Sequence, residues 1–174
     1  MKTSKIGTDL IVKFETLSLK VYLDPGSPSN DELWTAGYGS LNSSLPPGES
    51  FKMGDTITKE TAVRWRDYHI TTVIEPTINR LVTVPITQEQ FDVIVDFCFN
   101  LGTGAFESST FLKRINAKNF SDAQKQITRF VNAGGRVMRG LQRRRLAEAV
   151  IFGGMNRQEL IKNCFNGIDP EIKP

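Results

Sequence analysis

The stretch that decides the fold runs from Leu10 to Asp24 and reads LIVKFETLSLKVYLD. In its first part, apolar residues recur at helical spacing and Ser4 stands upstream as an N-cap, which predicts a helix over residues 5–16. Its second part opens a segment rich in Gly, Pro, Ser and Asn that carries short apolar runs. Such a segment is typical of short strands joined by turns, so we expect a β-rich lobe over residues 17–57.

The pattern becomes helical over about residues 58–164. Thr58 can cap the first of these helices, and Pro76 is expected to break or kink it. The residues expected to share one face of this helix are Ala62, Trp65, His69 and Val73.

A second helix begins at the capping box formed by Thr87 to Gln90. We expect Gly102 and Gly104 to end it. Its core-facing residues are predicted to be Phe91, Ile94, Val95, Cys98 and Phe99. Further helices are predicted over 109–117, 121–132, 140–152 and 156–164, with Ser109, Ser121 and Asn156 as caps. The sequence therefore predicts that residues 1–174 form one domain of the α+β class, which is mainly helical with a small β-rich lobe.

The composition is that of an ordinary globular chain. It has 174 residues, of which 39% are apolar and 24% charged. These values exclude intrinsic disorder and a fibrous repeat, and no apolar run approaches the ~18 residues of a membrane span. The first twenty residues mix charged with apolar side chains, so we expect no signal peptide.

The charges divide unevenly along the chain. Residues 1–110 hold 9 basic and 14 acidic side chains, a balance of −5, whereas residues 111–174 hold 13 and 5, a balance of +8. The basic part can meet an anionic partner, and nucleic acid, an anionic membrane and a bacterial cell wall all qualify.

The cysteines and the histidine do not indicate a metal site. Cys98 and Cys164 form no CxxC pair, and the one histidine, His69, is far away in sequence. Cys98 lies between two phenylalanines, which favours a buried thiol over a disulfide with Cys164. His69 is expected to be partly buried with its hydrogen bonds satisfied.

Two carboxylates near the N-terminus suggest acid–base chemistry. Glu15 falls at the C-terminal end of the first predicted helix, where the helix dipole disfavours a charged carboxylate and favours a general acid. Asp24 falls at a turn before Pro25, a polar position that favours the ionised form. Thr35 offers a hydroxyl that can hold a water beside Asp24. One carboxyl kept as acid and another as base is the arrangement for glycoside hydrolysis.

Four ordered blocks carry a family resemblance between about Ile11 and Phe152. They resemble the phage-type lysozymes, the endolysins of glycoside hydrolase family 24. The blocks are Phe14-Glu15-x-Leu17-x-Leu19-Lys20-x-Tyr22-x-Asp24 with Trp34-Thr35-x-Gly37-Tyr38-Gly39, then Thr87-Gln88-Glu89-Gln90-Phe91-Asp92, then Phe99-Asn100-Leu101-Gly102-x-Gly104-Ala105-Phe106, and last Gly140-Leu141-x-x-Arg144-Arg145-x-x-Glu148 with Phe152.

The resemblance implies a lysozyme-like fold with a cleft between the lobes, and cleavage of the β-1,4 bond between N-acetylmuramic acid and N-acetylglucosamine in peptidoglycan. It implies that Glu15 is the proton donor, that Asp24 activates or stabilises the attacking water, and that Thr35 completes the triad. The family is described as inverting, which requires the two carboxyl groups to lie roughly 6.5–9.5 Å apart. No metal or organic cofactor is implied.

The chain departs from the family pattern at two places. Residues 25–34 form a loop about twice the usual length, and its Asp31 and Glu32 are alternatives to Asp24, which keeps the family's spacing from Glu15. In addition, Ser40 stands where many members have histidine.

Three further residues are candidates for substrate binding. Trp34 can stack on a sugar or pack the β-rich lobe. Asn100 can bind an N-acetyl group or satisfy backbone groups at a helix end. Arg143, with Arg136 and Arg139, is a candidate for the cleft rim or an anionic contact. Arg144 and Arg145 are instead expected to pair with Glu148 within one helix.

The resemblance favours a monomeric endolysin that is made in the host cytoplasm and reaches the periplasmic wall once the membrane is permeabilised. The expected partner is the glycan strand of peptidoglycan, with no nucleic acid and no stable membrane insertion. Two alternatives remain open. A lytic transglycosylase would cut the same bond, and a non-catalytic basic helical protein would bind an anion without chemistry.

Overall fold

A computed structural model describes residues 1–23, 33–153, 155–165 and 170. Asp24, Asp31 and Glu32 lie outside these ranges. The described elements are, in chain order, α1 Lys5–Phe14, β1 Ser18–Leu23, β2 Trp34–Gly37, β3 Ser40–Leu41, α2 Lys59–His69, α3 Glu75–Leu81, α4 Gln88–Leu101, α5 Thr103–Ser108, α6 Thr110–Asn116, α7 Phe120–Ile127, β4 Asn132–Ala133, β5 Arg136–Val137, α8 Arg139–Phe152 and α9 Arg157–Cys164.

The N-terminal helix leads directly into the sheet. The Ser4 side chain caps α1 by accepting from the Ile6 N–H, as predicted, and α1 ends at Phe14 rather than at residue 16. Glu15 is already extended, with φ −92° and ψ 130°. Strand β1 pairs antiparallel with β2, and β2 pairs antiparallel with β3. The switch from helix to strand therefore takes only three residues, and it places Glu15 between the two kinds of structure.

The helix that Thr58 caps passes through an irregular turn near Pro76, where a break or kink was expected. Between α2 and α3, residues Ile70–Ile74 form a wider π-helical turn, and Pro76 stands in the first turn of α3. Proline lacks an N–H and its ring clashes with the carbonyl four residues earlier, so the wide turn accommodates it without ending the helix. Of the residues predicted to share one face, His69 and Val73 line the same cavity, and Val73 is 40% exposed, whereas Ile70 and Ile74 are buried.

Helix α4 runs through the centre of the helical lobe. Its predicted capping box is present, and Gly102 ends it with φ +84°. Phe91, Ile94, Val95 and Cys98 are buried as predicted, whereas Phe99 is only partly buried. Gly104 does not end α4 but lies within α5, a short helix that the sequence did not predict.

The C-terminal third differs most from expectation. Ser109 caps α6 and Asn156 caps α9, as predicted. Asn119 rather than Ser121 caps α7, which ends at Ile127 and not at residue 132. The next residues form the β4–β5 hairpin, whose turn is Gly134-Gly135 with φ of 56° and 73°. Two glycines at positive φ make this turn possible and end the predicted helix early.

Two hydrophobic clusters divide the chain into lobes. The larger one fills the helical lobe and includes Ile11 of α1, while the smaller one packs the sheet against α2. The buried residues of the smaller cluster are Ala36, Leu45, Phe51 and Trp65. Cys98 is buried in the larger cluster, and both cysteines are free, as expected. The result is an α+β fold with a cleft where α1, the sheet, α4 and α8 approach one another.

Candidate active site

Glu15 lies immediately after α1 with its side chain 22% exposed. One carboxylate oxygen, Oε1, accepts a hydrogen bond from Nη1 of Arg144 at 2.5 Å. The Glu15 carboxyl group thus lies at the C-terminal end of a helix and also beside a buried guanidinium group. Arg144 fixes the position of this carboxyl group within the cleft.

Arg144 is in turn held by a buried carboxylate of the central helix. Its Nε donates to Oδ2 of Asp96 at 3.0 Å, and its Nη2 donates to Oδ1 at 2.7 Å. Asp96 is fully buried and the Arg144 side chain is 2% exposed. Burial by itself lowers the pKa of Arg144, but hydrogen bonding and charge from Asp96, together with Glu15, raise that pKa overall. Arg144 is therefore a permanently charged bridge between Asp96 and Glu15.

A second buried pair lies on the next residue of α8. Nη2 of Arg145 is 2.7 Å from Oε1 of Glu148, and the intrahelical pairing that the sequence predicted is present. Arg144 also lies 3.7 Å from the same oxygen. Burial raises the pKa of Glu148 well above its usual range, and Arg145 opposes this shift while Asp96 adds to it. Nη2 of Arg145 also donates to Oδ1 of Asn100 at 3.1 Å, which orients that amide.

Two cavities meet at Glu15 and Asn100. The first, of about 560 Å³, lies toward the sheet, and Thr35, Tyr38, Ser40 and His69 are among the residues that line it. The second, of about 750 Å³, lies toward α8, and Lys13, Met138, Leu141 and Arg143 are among those that line it. Because both cavities share these two residues, they form one cleft with Glu15 at its centre.

Thr35 lies in the sheet-side half of the cleft together with Glu15. Thr35 is 2% exposed, and its hydroxyl donates to the Leu33 carbonyl at 3.2 Å. Asp24 falls outside the described residues. The strand that leads to it ends at Leu23, which pairs with Trp34, the residue before Thr35.

The three substrate-binding candidates occupy different surroundings. Trp34 packs against the hydrophobic cluster of the sheet lobe. Asn100 lines both halves of the cleft, and its amide oxygen accepts from Arg145 rather than from backbone groups. Arg143 lines the α8-side half.

His69 also lines the sheet-side half of the cleft. It packs edge-on against Phe99, with ring centroids 6.1 Å apart, and burial lowers its pKa. The expectation of a satisfied histidine is wrong, because its buried Nδ1 has no hydrogen-bond partner among the described residues. Its packing partner on α4, the ring of Phe99, offers no hydrogen-bonding atom.

Sequence reasoning singled out Asn100 but missed the two buried aspartates on the same face of α4. Asp92, Asp96 and Asn100 recur every four residues on α4 and so share one face of an otherwise apolar helix. They accept hydrogen bonds from Ser4, Arg144 and Arg145 respectively. A polar stripe at this spacing was the signal for a buried network joining α1, α4 and α8.

No helix within the described ranges combines the length and apolar character needed to cross a bilayer.

Two lobes, a connecting cleft and a glutamate at the end of the first helix define a lysozyme-like α+β protein.

Comparison with known proteins gives the family. The family model described as phage lysozyme matches residues 12–148. The chain is 33% identical to an endolysin of Acyrthosiphon pisum secondary endosymbiont phage 1, over 87% of this chain and 98% of the relative. The chain belongs to the phage lysozyme family.

Solved structures agree with this assignment. The muramidase domain of SpmX from Asticaccaulis excentricus has a TM-score of 0.72 at 32% identity, covering 88% of this chain and 99% of that one. A mutant lysozyme of phage P22 has a TM-score of 0.72 at 31% identity, covering 87% and 98%. The endolysin of Bacillus phage B103 is 33% identical over 87% of this chain, but the chain spans only about half, 54%, of that relative's length.

Proposed function

We propose that the chain is an endolysin that hydrolyses the β-1,4 bond between N-acetylmuramic acid and N-acetylglucosamine in bacterial peptidoglycan and so lyses the host cell. The observation that carries this proposal is the position of Glu15, held by Arg144 where the two halves of the cleft meet. The named relatives, which include endolysins and a muramidase domain, support the same conclusion.

In this proposal Glu15 protonates the leaving glycosidic oxygen, and Asp24 with Thr35 directs water to the anomeric carbon. Two observations support this role for Thr35. It lines the same half of the cleft as Glu15, and its hydroxyl donates a hydrogen bond to a backbone carbonyl. Asn100 and Arg143 contact the glycan in the cleft, and Trp34 shapes the wall of the cleft on the side of the β-rich lobe. The hydrolysis requires no cofactor or metal.

The proposed partner is the glycan strand of peptidoglycan. The enzyme acts as a monomer, binds no nucleic acid and does not insert stably into a membrane. It is made in the host cytoplasm and acts on the periplasmic wall after the membrane is permeabilised.

The fragments that the protein releases from purified peptidoglycan show which reaction it catalyses. Hydrolysis gives fragments with a reducing muramic acid end, which is the expected result. Fragments with a 1,6-anhydro end would instead identify a lytic transglycosylase. Undigested peptidoglycan would favour a non-catalytic binding protein.

Substitutions in the loop test which carboxylate is the second one. Asp24→Asn is expected to lower the rate of wall digestion by at least about 10²-fold, the usual size of a lost acid–base partner. Asp31→Asn and Glu32→Gln, which remove the same charge from the same loop, serve as matched controls and are expected to stay near wild type. If either control loses activity while Asp24→Asn keeps it, the assignment of Asp24 is wrong.

A further inference from the structure

Asn100 lies at the same level of the cleft as Glu15. Of the described lining residues, Glu15 and Asn100 are the two that border both the sheet-side half and the α8-side half. In the proposed function, Glu15 protonates the glycosidic oxygen of the bond that is cleaved. The side chain of Asn100 therefore faces a sugar that adjoins this bond.

The orientation of the Asn100 amide is fixed by Arg145. Nη2 of Arg145 lies 3.1 Å from Oδ1 of Asn100, and the Arg145 side chain is fully buried. A guanidinium group carries only donors, so the amide atom that faces it has to be the oxygen. Nδ2 of Asn100 has no acceptor among the described residues. Asn100 therefore presents the donor end of its amide to the cleft.

A donor held in this way selects an acceptor. The sugars of the proposed substrate carry hydroxyl groups, which both donate and accept, and an acetamido group whose carbonyl oxygen only accepts. The hydroxyls of Thr35, Ser40 and Ser43 line the sheet-side half and suit the sugar hydroxyls, because they too donate and accept. The Asn100 amide suits the carbonyl oxygen instead, and the hydrogen bond from the charged Arg145 polarises the amide and strengthens its N–H donors.

We propose that Asn100 selects N-acetylated glycan by donating from Nδ2 to the acetamido carbonyl oxygen of a sugar at the cleaved bond. The inference rests on the proposed function and names the group that this part of the cleft recognises. Removal of the acetyl group leaves an amine, which at mildly acidic pH is protonated and offers donors only. A strand that is deacetylated at this sugar therefore places donor against donor and is a poor substrate.

The test measures kcat/KM on soluble peptidoglycan strands before and after enzymatic N-deacetylation, at mildly acidic pH. The wild type is expected to prefer the acetylated strands. Asn100→Asp keeps the shape of the side chain and its pairing with Arg145, but it replaces the donor by an acceptor. This variant is expected to reduce the preference by at least about tenfold, in part by cleaving deacetylated strands faster than the wild type does.

A second variant removes the donor without adding charge. Asn100→Ala is expected to reduce the preference by about three- to tenfold, the usual size of one lost hydrogen bond. Its loss should fall on the acetylated strands alone, because the wild-type donor makes no bond to the deacetylated sugar.

Asn119→Asp is the matched control for the change in net charge. Asn119 is exposed, lines neither half of the cleft, and caps α7 by accepting from the Asp122 N–H. Aspartate caps a helix as well as asparagine does, so the control is expected to fold normally. It should keep the wild-type preference for acetylated strands.

Equal kcat/KM of the wild type on the two substrates would overturn the inference. A preference that persists unchanged in both Asn100 variants would overturn it as well. So would an equal reduction by Asn119→Asp, because the effect would then come from net charge. If the wild type cleaves neither substrate, the proposed hydrolase function itself fails, so the two failures are distinguishable in one experiment.

Discussion

Arg144 is the residue on which the site depends most. It connects Glu15 at the cleft with the buried Asp96, and three of its hydrogen bonds go to these two carboxylates. Removing one partner of a buried ion pair leaves an uncompensated charge, which is much more damaging than losing an exposed pair. Arg144 therefore stabilises the fold and holds Glu15 in place at the same time.

Arg144→Met is expected to lower the free energy of unfolding by about 3–5 kcal/mol, because Asp96 is left buried without a counter-charge. Denaturant unfolding measures this change. Arg80→Met, which breaks the exposed pair with Glu107, is the control and should change stability by less than about 1 kcal/mol. Similar losses in the two variants would show that the buried bridge does not stabilise the fold as described.

His69 gives the fold a pH dependence of known sign. Burial lowers the pKa of His69 from its usual 6.5, so the folded state favours the neutral ring more than the unfolded chain does. This stabilisation is present above about pH 6.5 and is lost as the pH falls through the depressed folded-state pKa, because the unfolded chain then gains the proton first.

His69→Gln removes the chain's one histidine. As the pH falls below about 6.5, the free energy of unfolding of the wild type is expected to decrease more steeply than that of this variant. Equilibrium unfolding at a series of pH values measures both slopes. Parallel slopes would contradict the buried, neutral His69.

At the residue scale, the sequence predicts candidate residues that line the cleft better than it predicts the groups that hold them in place. Glu15 and Thr35 stand in recognisable motifs, and both line the cleft. Asp96 and Arg144 are far apart in the chain, and only the packing of α4 against α8 makes them a bridge. The spacing of Asp92, Asp96 and Asn100 shows a polar face on α4, but it does not show which basic residues meet it.

The elements that were predicted well are those with strong local signals. The side chains of Ser4, Thr58, Thr87, Ser109 and Asn156 each cap a helix. Short elements such as α5 and the β4–β5 hairpin were missed, because a few residues carry too little periodicity to indicate a helix or a strand. A break or kink was predicted at Pro76, and the structure has a wide π turn just before it, a form of irregularity that the sequence does not display.

The end of α4 provides a matched test of backbone conformation. Gly102 has φ +84° and Gly104 does not have a positive φ, while a Cβ at either position would meet no atom within 4 Å among the described residues. Gly102→Ala is expected to destabilise the fold by about 1–2 kcal/mol, because alanine disfavours the left-handed region. Gly104→Ala is expected to stabilise α5 by about 0.4–1 kcal/mol. Thermal or denaturant unfolding measures both changes in stability. A Gly102→Ala variant as stable as the wild type would contradict the need for glycine at the positive φ of this helix end.

At the scale of the whole molecule, the uneven charge along the chain has a structural counterpart. The basic C-terminal part of the sequence supplies α8, whose arginines form one side of the cleft and part of its buried support. The net charge of +3 conceals this arrangement. Attraction between the basic part and an anionic wall is expected to be sensitive to salt, because exposed charges are screened over about 10 Å at 0.1 M.

Binding to purified walls tests this attraction without digestion of the substrate. Glu15→Gln keeps the basic residues, so it is expected to co-sediment with walls at low salt and to release progressively as salt is raised toward about 1 M, where screening shortens to about 3 Å. Sedimentation with quantified free protein measures the bound fraction. Binding that does not change with salt would contradict an electrostatic contribution from the basic part.

The central claim is that Glu15 carries the chemistry, and the rate of release of reducing ends from purified peptidoglycan tests it most directly. Glu15→Gln is nearly isosteric but cannot donate a proton as an acid does, and it is expected to lower the rate by at least about 10²-fold. Glu107→Gln, an exposed glutamate paired with Arg80, is the matched control and should digest at the wild-type rate. If a folded Glu15→Gln variant digests peptidoglycan as fast as the wild type, the account of the active site is wrong.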